Sequence, residues 1–306
     1  MSAIYTYTGY GLKIISELYF PEFLPSDFED ANVHITLKNA LETKDTQTDW
    51  DKSYSKETDL GTFFQVENVA RYHVKNGEEI EVEPFEGGDP GAVRLFLLSN
   101  AMAILLIQRG KILLHASAIR TEKGLVVFIG DSGAGKSSML VELVRRGQEP
   151  FSDDVIVLKE DPLTGDILAI PSYPMIKLWK ETRDSLSLEI IGEGHRLRKG
   201  VEKYGHFFHD RFKQDAMRIA KVIVIEKDPV IETYEVLKPG GLESFEILSR
   251  NIYRRQYIQQ DDLRKKHLRL LGKLLGQAPI RILKRPSSGG EIEGFADFAE
   301  HQFQTM

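Results

Sequence analysis

The chain has 306 residues, 42% apolar and 28% charged, an ordinary globular mix with enough apolar material for about two domains. With no cysteine it has neither disulfides nor thiolate chemistry, and a net charge of −6 argues against a nucleic-acid binder. Its opening residues, Met1-Ser2-Ala3-Ile4-Tyr5-Thr6, lack the basic and apolar blocks of a secretory signal, so a cytoplasmic location is expected.

Residues 1–90 read as a β-rich N-terminal domain. Tyr10–Ile14, Val33–Leu37 and Ala70–Val74 alternate as strands do, and Asn76-Gly77 before Ile80–Val82 predicts a hairpin. The polar stretch 41–60 reads as a loop, and Glu86-Gly87-Gly88-Asp89-Pro90-Gly91 as a boundary. Residues 91–306 read as the catalytic domain, opening with an apolar helix over 91–108. Arg94, Ser99 and Asn100 interrupt that helix, which predicts burial in the protein, with no membrane partner. Ile112–Ile119 is expected as a strand that turns through Glu122-Lys123-Gly124 onto Leu125–Ile129. Val155–Leu158 and Ile167–Ile170 predict a hairpin across Pro162–Gly165, whereas 180–216 gives no clear pattern. Ile219–Ile225 and Ile231–Leu237 return to β; 242–275 is largely helical; Pro279–Leu283 predicts a last strand before a helix over 291–303.

The densest signal follows Leu125–Ile129. Gly130-Asp131-Ser132-Gly133-Ala134-Gly135-Lys136-Ser137 fits G-x-x-x-x-G-K-[ST], with a strand before it and a helix over Ser138–Arg146 behind. Small residues let successive backbone N–H groups curl around an anion, and a helix N-terminus adds partial positive charge. Gly130 to Ser138 is therefore the candidate binding site for a nucleoside triphosphate, Lys136 reaching the β/γ phosphates and Ser137 the Mg²⁺.

One helix downstream, Asp153-Asp154 precedes an apolar strand. Such a pair can divide two tasks, one carboxylate holding Mg²⁺ and the other taking a proton from an attacking hydroxyl. His115 alone, in an apolar strand, reads as a core histidine. Val222–Glu226 imitates an ATPase strand ending in an acid, but the Asp pair already fills that role and the segment reads as a buried strand. Arg250, Arg254 and Arg255, or Arg196, Arg198, Lys199 and Lys203, are candidate phosphate clamps, in cis or from a neighbouring subunit, which leaves a homo-oligomer open. His206-Phe207-Phe208-His209-Asp210 has metal-like spacing on a helical turn with nothing converging on it. Arg264–His267 opens an amphipathic helix with Leu263, Leu270, Leu271 and Leu274 on one face, better suited to a core than to nucleic acid.

His115, the loop Gly130–Ser137, Arg146-Gly147 and Ser152-Asp153-Asp154 together resemble the catalytic domain of bacterial HPr kinase/phosphorylase. The resemblance implies an α/β (α+β) P-loop domain of the kind shared with phosphoenolpyruvate carboxykinases, with ATP and Mg²⁺ as cofactors. It further implies Asp153 as general base toward a serine hydroxyl, Asp154 by the metal, and His115 close to the phosphates. The HPr enzymes' glycine-rich segment after the Asp pair is replaced here by Pro171–Trp179, and their N-terminal domain is not matched. Over its whole length the chain resembles the HPr-kinase-related proteins of lasso-peptide biosynthesis, through Tyr10-Gly11-Leu12-Lys13-Ile14-Ile15-Ser16-Glu17 and Leu114-His115-Ala116-Ser117-Ala118. That likeness implies phosphorylation of the C-terminal serine of a precursor peptide, so a peptide or small protein as partner. An HPr-type kinase/phosphorylase, or a nucleotide switch without covalent transfer, are the alternatives.

Overall fold

Alternating side chains in the first third pair into one sheet. The computed structural model describes residues 3–41, 52–185, 194–287 and 292–304, and the elements named here are those of the described residues. Strands β1 (Tyr5–Gly9) and β2 (Leu12–Ser16) form a hairpin, with β3 (Leu24–Pro25) on its outer edge and β4 (Val33–Leu37) parallel to β2. Strands β5 (Tyr54–Thr58), β6 (Gly61–Val66), β7 (Ala70–Lys75) and β8 (Glu79–Pro84) make an antiparallel meander. Pairing of β8 with β4 joins the halves in the order β3-β1-β2-β4-β8-β7-β6-β5.

Two expectations are corrected in this sheet. The strand expected from Tyr10 starts at Leu12, because Tyr10 and Gly11 take left-handed φ of 56° and 71° and form the turn. Tyr54–Thr58, expected within a loop, is an edge strand whose mostly exposed, polar side chains leave no apolar alternation to read. Residues 42–51 of that expected loop lie outside the described residues. The Asn76-Gly77 hairpin is as expected, with φ of 52° and 70°.

A continuous helical rod comes next: α1 (Pro90–Phe96), a π-helical turn (Leu97–Ala101) and α2 (Met102–Gln108). Asp89 starts it by accepting the Gly91 N–H at 2.9 Å, with Pro90 at the first position, where a missing N–H costs nothing. The rod spans 19 residues with mean hydropathy 1.8, long and apolar enough to cross a membrane, yet 67% of its apolar window is buried inside the protein. Leu97, Leu98, Met102 and Leu105 share one core with Ile14, Ile35, Tyr72 and Val82 of the sheet and with Leu113, Val155, Val157 and Tyr173 further on. Buried apolar contact thus runs without a break across residue 90.

The larger remaining sheet contains β9 (Ile112–Leu114), β10 (Ser117–Thr121) and β11 (Gly124–Ile129) before α3 (Lys136–Arg145). Then come β12 (Glu149–Ser152), β13 (Ile156–Glu160) and β14 (Ile167–Pro171). A small sheet is built from β15 (Met175–Trp179), β16 (His195–Arg196) and β17 (Lys203–Phe207), with α4 (Lys180–Ser185) after β15. The chain closes with β18 (Met217–Asp228), β19 (Glu235–Leu237), α5 (Gly241–Arg250), α6 (Asp261–Gln277), β20 (Ile280–Pro286) and α7 (Ile292–Gln304). Residue 291, where the last helix was expected to begin, lies outside the described residues.

β18 lies between β11 and β20, parallel to both, and its unbroken buried run Lys221–Ile225 is that of a strand covered on both faces. Ile247, Leu248, Leu270, Leu271 and Leu274 of α5 and α6 cover one face. Leu140 and Leu143 of α3 with Phe295 and Ala299 of α7 cover the other. The fold is mixed α+β. The strand expected over Ile231–Leu237 is confined to Glu235–Leu237. The strand expected over Ile112–Ile119 is two: β9 pairs with β13, β10 pairs with β11 and β12, and the chain leaves the ladder between them. There Leu114 bridges to Ile252, and the His115 N–H donates to the Asn251 carbonyl at 2.9 Å.

Candidate active site

Strand β11 is buried along its length and delivers Gly130 into the loop. A Cβ on Gly130, at φ 139°, would meet the Ile225 carbonyl oxygen at 2.4 Å, so only glycine fits there. The Gly130 N–H donates to Asn251 Oδ1 at 2.9 Å, and Arg285 donates Nε and Nη2 to the Ala134 carbonyl at 3.3 and 3.1 Å. Between these two anchors the loop runs into α3, whose first residues are Lys136, Ser137 and Ser138. Lys136 Nζ folds under the loop, 2.7 Å from the Gly130 carbonyl oxygen and 3.1 Å from that of Asp131. Its burial lowers its pKa, against the opposing pull of Asp153 and Asp154.

The two aspartates face different partners. Asp153, 1% exposed, accepts hydrogen bonds from Ser117 Oγ at 2.6 Å, Ser137 Oγ at 2.8 Å and the Lys177 N–H at 2.9 Å. Asp154 has a left-handed φ of 71°, a strained state for a residue with a Cβ. Its carboxylate accepts from Lys177 Nζ at 2.6 Å and lies 3.8 Å from His115 Nε2. Burial alone would raise the pKa of Asp154; Lys177 and His115 outweigh it and hold the carboxyl well below the usual range. Burial likewise pushes His115 below its ordinary 6.5, more than Asp154 pulls it up.

Two cavities meet at these groups. One, of about 540 Å³, is lined by His115, Gly130–Ser132, Asp154 and Lys177, by an apolar wall of Leu95, Phe96, Leu197 and Val201, and by Arg198, Lys203, Arg250 and Arg254. The other, of about 280 Å³, is lined by Gly133, Gly135–Ser138, both aspartates and Trp179. His115, Ser132, Asp154, Lys177 and Lys203 line both. Together the cavities offer a phosphate loop, a neighbouring space large enough for a second reactant, and a carboxylate on the wall between them. A Mg²⁺ ion suits the donor set, since Ser137 Oγ and Asp153 are hard oxygen groups already side by side, and Mg²⁺ commonly takes only one or two protein ligands beside phosphate.

The structure brings together His115, Gly130–Ser138, Asp153 and Asp154, and adds Arg250 and Arg254 from one candidate clamp and Arg198 and Lys203 from the other. Arg196 is instead ion-paired with Glu202. Arg146 binds Glu142 and Glu300 at 2.8 Å each and so ties α3 to α7. Glu226 lines a further cavity of about 400 Å³ with Gly130–Ala134 and Asn251. His206 and His209 do not share a helical turn: the first sits on β17, the second in a 3-10 turn. No group of three or more metal-ligating side chains occurs among the described residues. Sequence reasoning passed over Ser117, Lys177, Asn251 and Arg285. Lys177 alone left a signal, a single charge inside the apolar run Met175-Ile176-Lys177-Leu178-Trp179.

No family model matches the chain, and no curated protein matches it. Among solved structures it is similar to the HPr(Ser) kinase/phosphatase from Coxiella burnetii, at 15% identity, over 63% of this chain and 97% of that one. The TM-score is 0.29, too low to carry an argument, so function has to be read from the geometry of the site itself.

Proposed function

We propose that the chain is an ATP- and Mg²⁺-dependent kinase that phosphorylates a serine hydroxyl on a peptide or small protein, with the C-terminal serine of a lasso precursor peptide as the intended acceptor. The observation that carries this reading is the contact of Ser137 Oγ with Asp153 at 2.8 Å, with Asp154 turned onto the wall shared by both cavities. A phosphate loop needs a metal-side acid and, for transfer rather than binding, a second acid facing the acceptor.

Ser137 and Asp153 would hold Mg²⁺, which neutralises phosphate charge when bound. Asp153 is buried against Ser117, Ser137 and the Lys177 N–H and does not line the larger cavity, whereas Asp154 lines both. Asp154 is the carboxylate that orients the acceptor hydroxyl and takes its proton, the reverse of the division that the resemblance implies. Held ionised by its cationic neighbours, Asp154 is available as a hydrogen-bond acceptor for that hydroxyl. Lys177 holds Asp154 in place, Lys136 covers the transferring phosphoryl group, and Arg250 or Arg254 adds cationic cover from the larger cavity.

Paired substitutions separate the roles. Asp154→Asn is expected to bind ATP normally and lose transfer by about 10²- to 10⁴-fold. Asp153→Asn is expected to shift the Mg²⁺ concentration needed for half-maximal rate upward. An Mg²⁺ requirement changed by Asp154→Asn and not by Asp153→Asn would restore the opposite assignment.

A further inference from the structure

We propose that Trp179 is the platform on which the base of the nucleotide stacks; this rests on the triphosphate reading of Gly130–Ser138. A P-loop gives its bound chain a direction. Lysine reaches the β and γ phosphates, while the backbone at the helix start cradles the α and β phosphates. Base and ribose must therefore leave from the Ser137–Ser138 end. The cavity of about 280 Å³ is lined by Ser137 and Ser138 and also by Leu178, Trp179, Glu181 and Thr182.

Trp179 is the residue of β15 that does not join the core. Met175, Ile176, Lys177 and Leu178 are all at most 5% exposed, whereas Trp179 is 51% exposed and lines this cavity. Strand pairing fixes the indole: Trp179 lies opposite Lys203 on β17, and Lys203 Nζ sits over the ring, 5.4 Å from its centroid. A cation on one face leaves the other for a flat π system. Lys203 also lines both cavities, so the group over the ring is a positive charge next to the phosphate path.

Stacking on an aromatic side chain tolerates any base, because every base presents a π face. Trp179 therefore sets affinity for nucleoside triphosphates generally. Calorimetry of the full chain with MgATP, MgGTP and Mg-tripolyphosphate tests this. Trp179→Ala is expected to weaken ATP and GTP by about five- to 150-fold and leave tripolyphosphate unchanged. Trp179→Phe is expected to restore most of the loss. Unchanged ATP affinity in Trp179→Ala, or an equal loss for tripolyphosphate, overturns the platform while leaving the phosphate site standing. Failure of the unaltered protein to bind ATP and tripolyphosphate alike overturns both readings.

Discussion

In the proposed reaction Lys177 and Asp154 are the pair on which the chemistry turns, and their burial sets a pH test. In the intact protein Lys177, with His115, overcomes burial and keeps Asp154 ionised well below the usual carboxylate range. Lys177→Met removes the nearer cation while burial remains, so Asp154 protonates at higher pH. The acid-side fall of kcat/KM is expected to move upward in Lys177→Met; an unmoved acid limb would detach Lys177 from Asp154. The P-loop and the Asp pair were legible because phosphate and Mg²⁺ chemistry fix residue types at short spacing. Asn251 and Arg285 were not, since each meets the loop from 121 and 151 residues away. Lys177 reaches Asp154 across only 23 residues, and its place as a lone charge in an apolar run does not by itself say which group it meets. The different partners of the two aspartates were also beyond sequence, because they come from strands and loops distant in the chain.

Elements, rather than single side chains, decide where the loop sits. The break between β9 and β10 places His115 beside Asn251, and Asn251 in turn accepts the Gly130 N–H. Its own Nδ2 donates to the Ile247 carbonyl at 2.8 Å, which fixes the amide to the last turns of α5. Asn251→Ala leaves the Gly130 N–H without this acceptor and is expected to cost about 1–3 kcal/mol, read from the urea midpoint at constant slope. A loss below a few tenths of a kcal/mol would mean that the loop is held by β11 alone. The sequence pattern joined β9 to the start of β10 because Ile112–Ile119 is largely apolar; the break follows from pairing with different partners, which that pattern does not encode. β11 and β18 were each readable as strands, being apolar runs, but their parallel pairing was not.

At the scale of the molecule, the rod from Pro90 to Gln108 is the shared interior. Leu98 is 2% exposed in a core that reaches from Tyr7 to Ile258 and so draws on both sides of residue 90. Leu98→Ala is expected to cost about 2–5 kcal/mol and to lower one common unfolding midpoint reported by probes in both parts. Two separated midpoints, with only one lowered, would show that the two parts unfold independently. Composition pointed to a sizeable core, and the apolar helix was legible as buried. That its burial is supplied by the N-terminal sheet as well as the catalytic half rests on long-range packing, beyond what local patterns hold.

The central claim is phosphoryl transfer to serine. Incubation of the full chain with MgATP and a peptide ending in serine, read by mass spectrometry, tests it most directly. The account predicts one added phosphate on that peptide, none on its Ser→Ala counterpart, and none with Lys136→Ala. Release of free phosphate from ATP with the peptide left unmodified would contradict it.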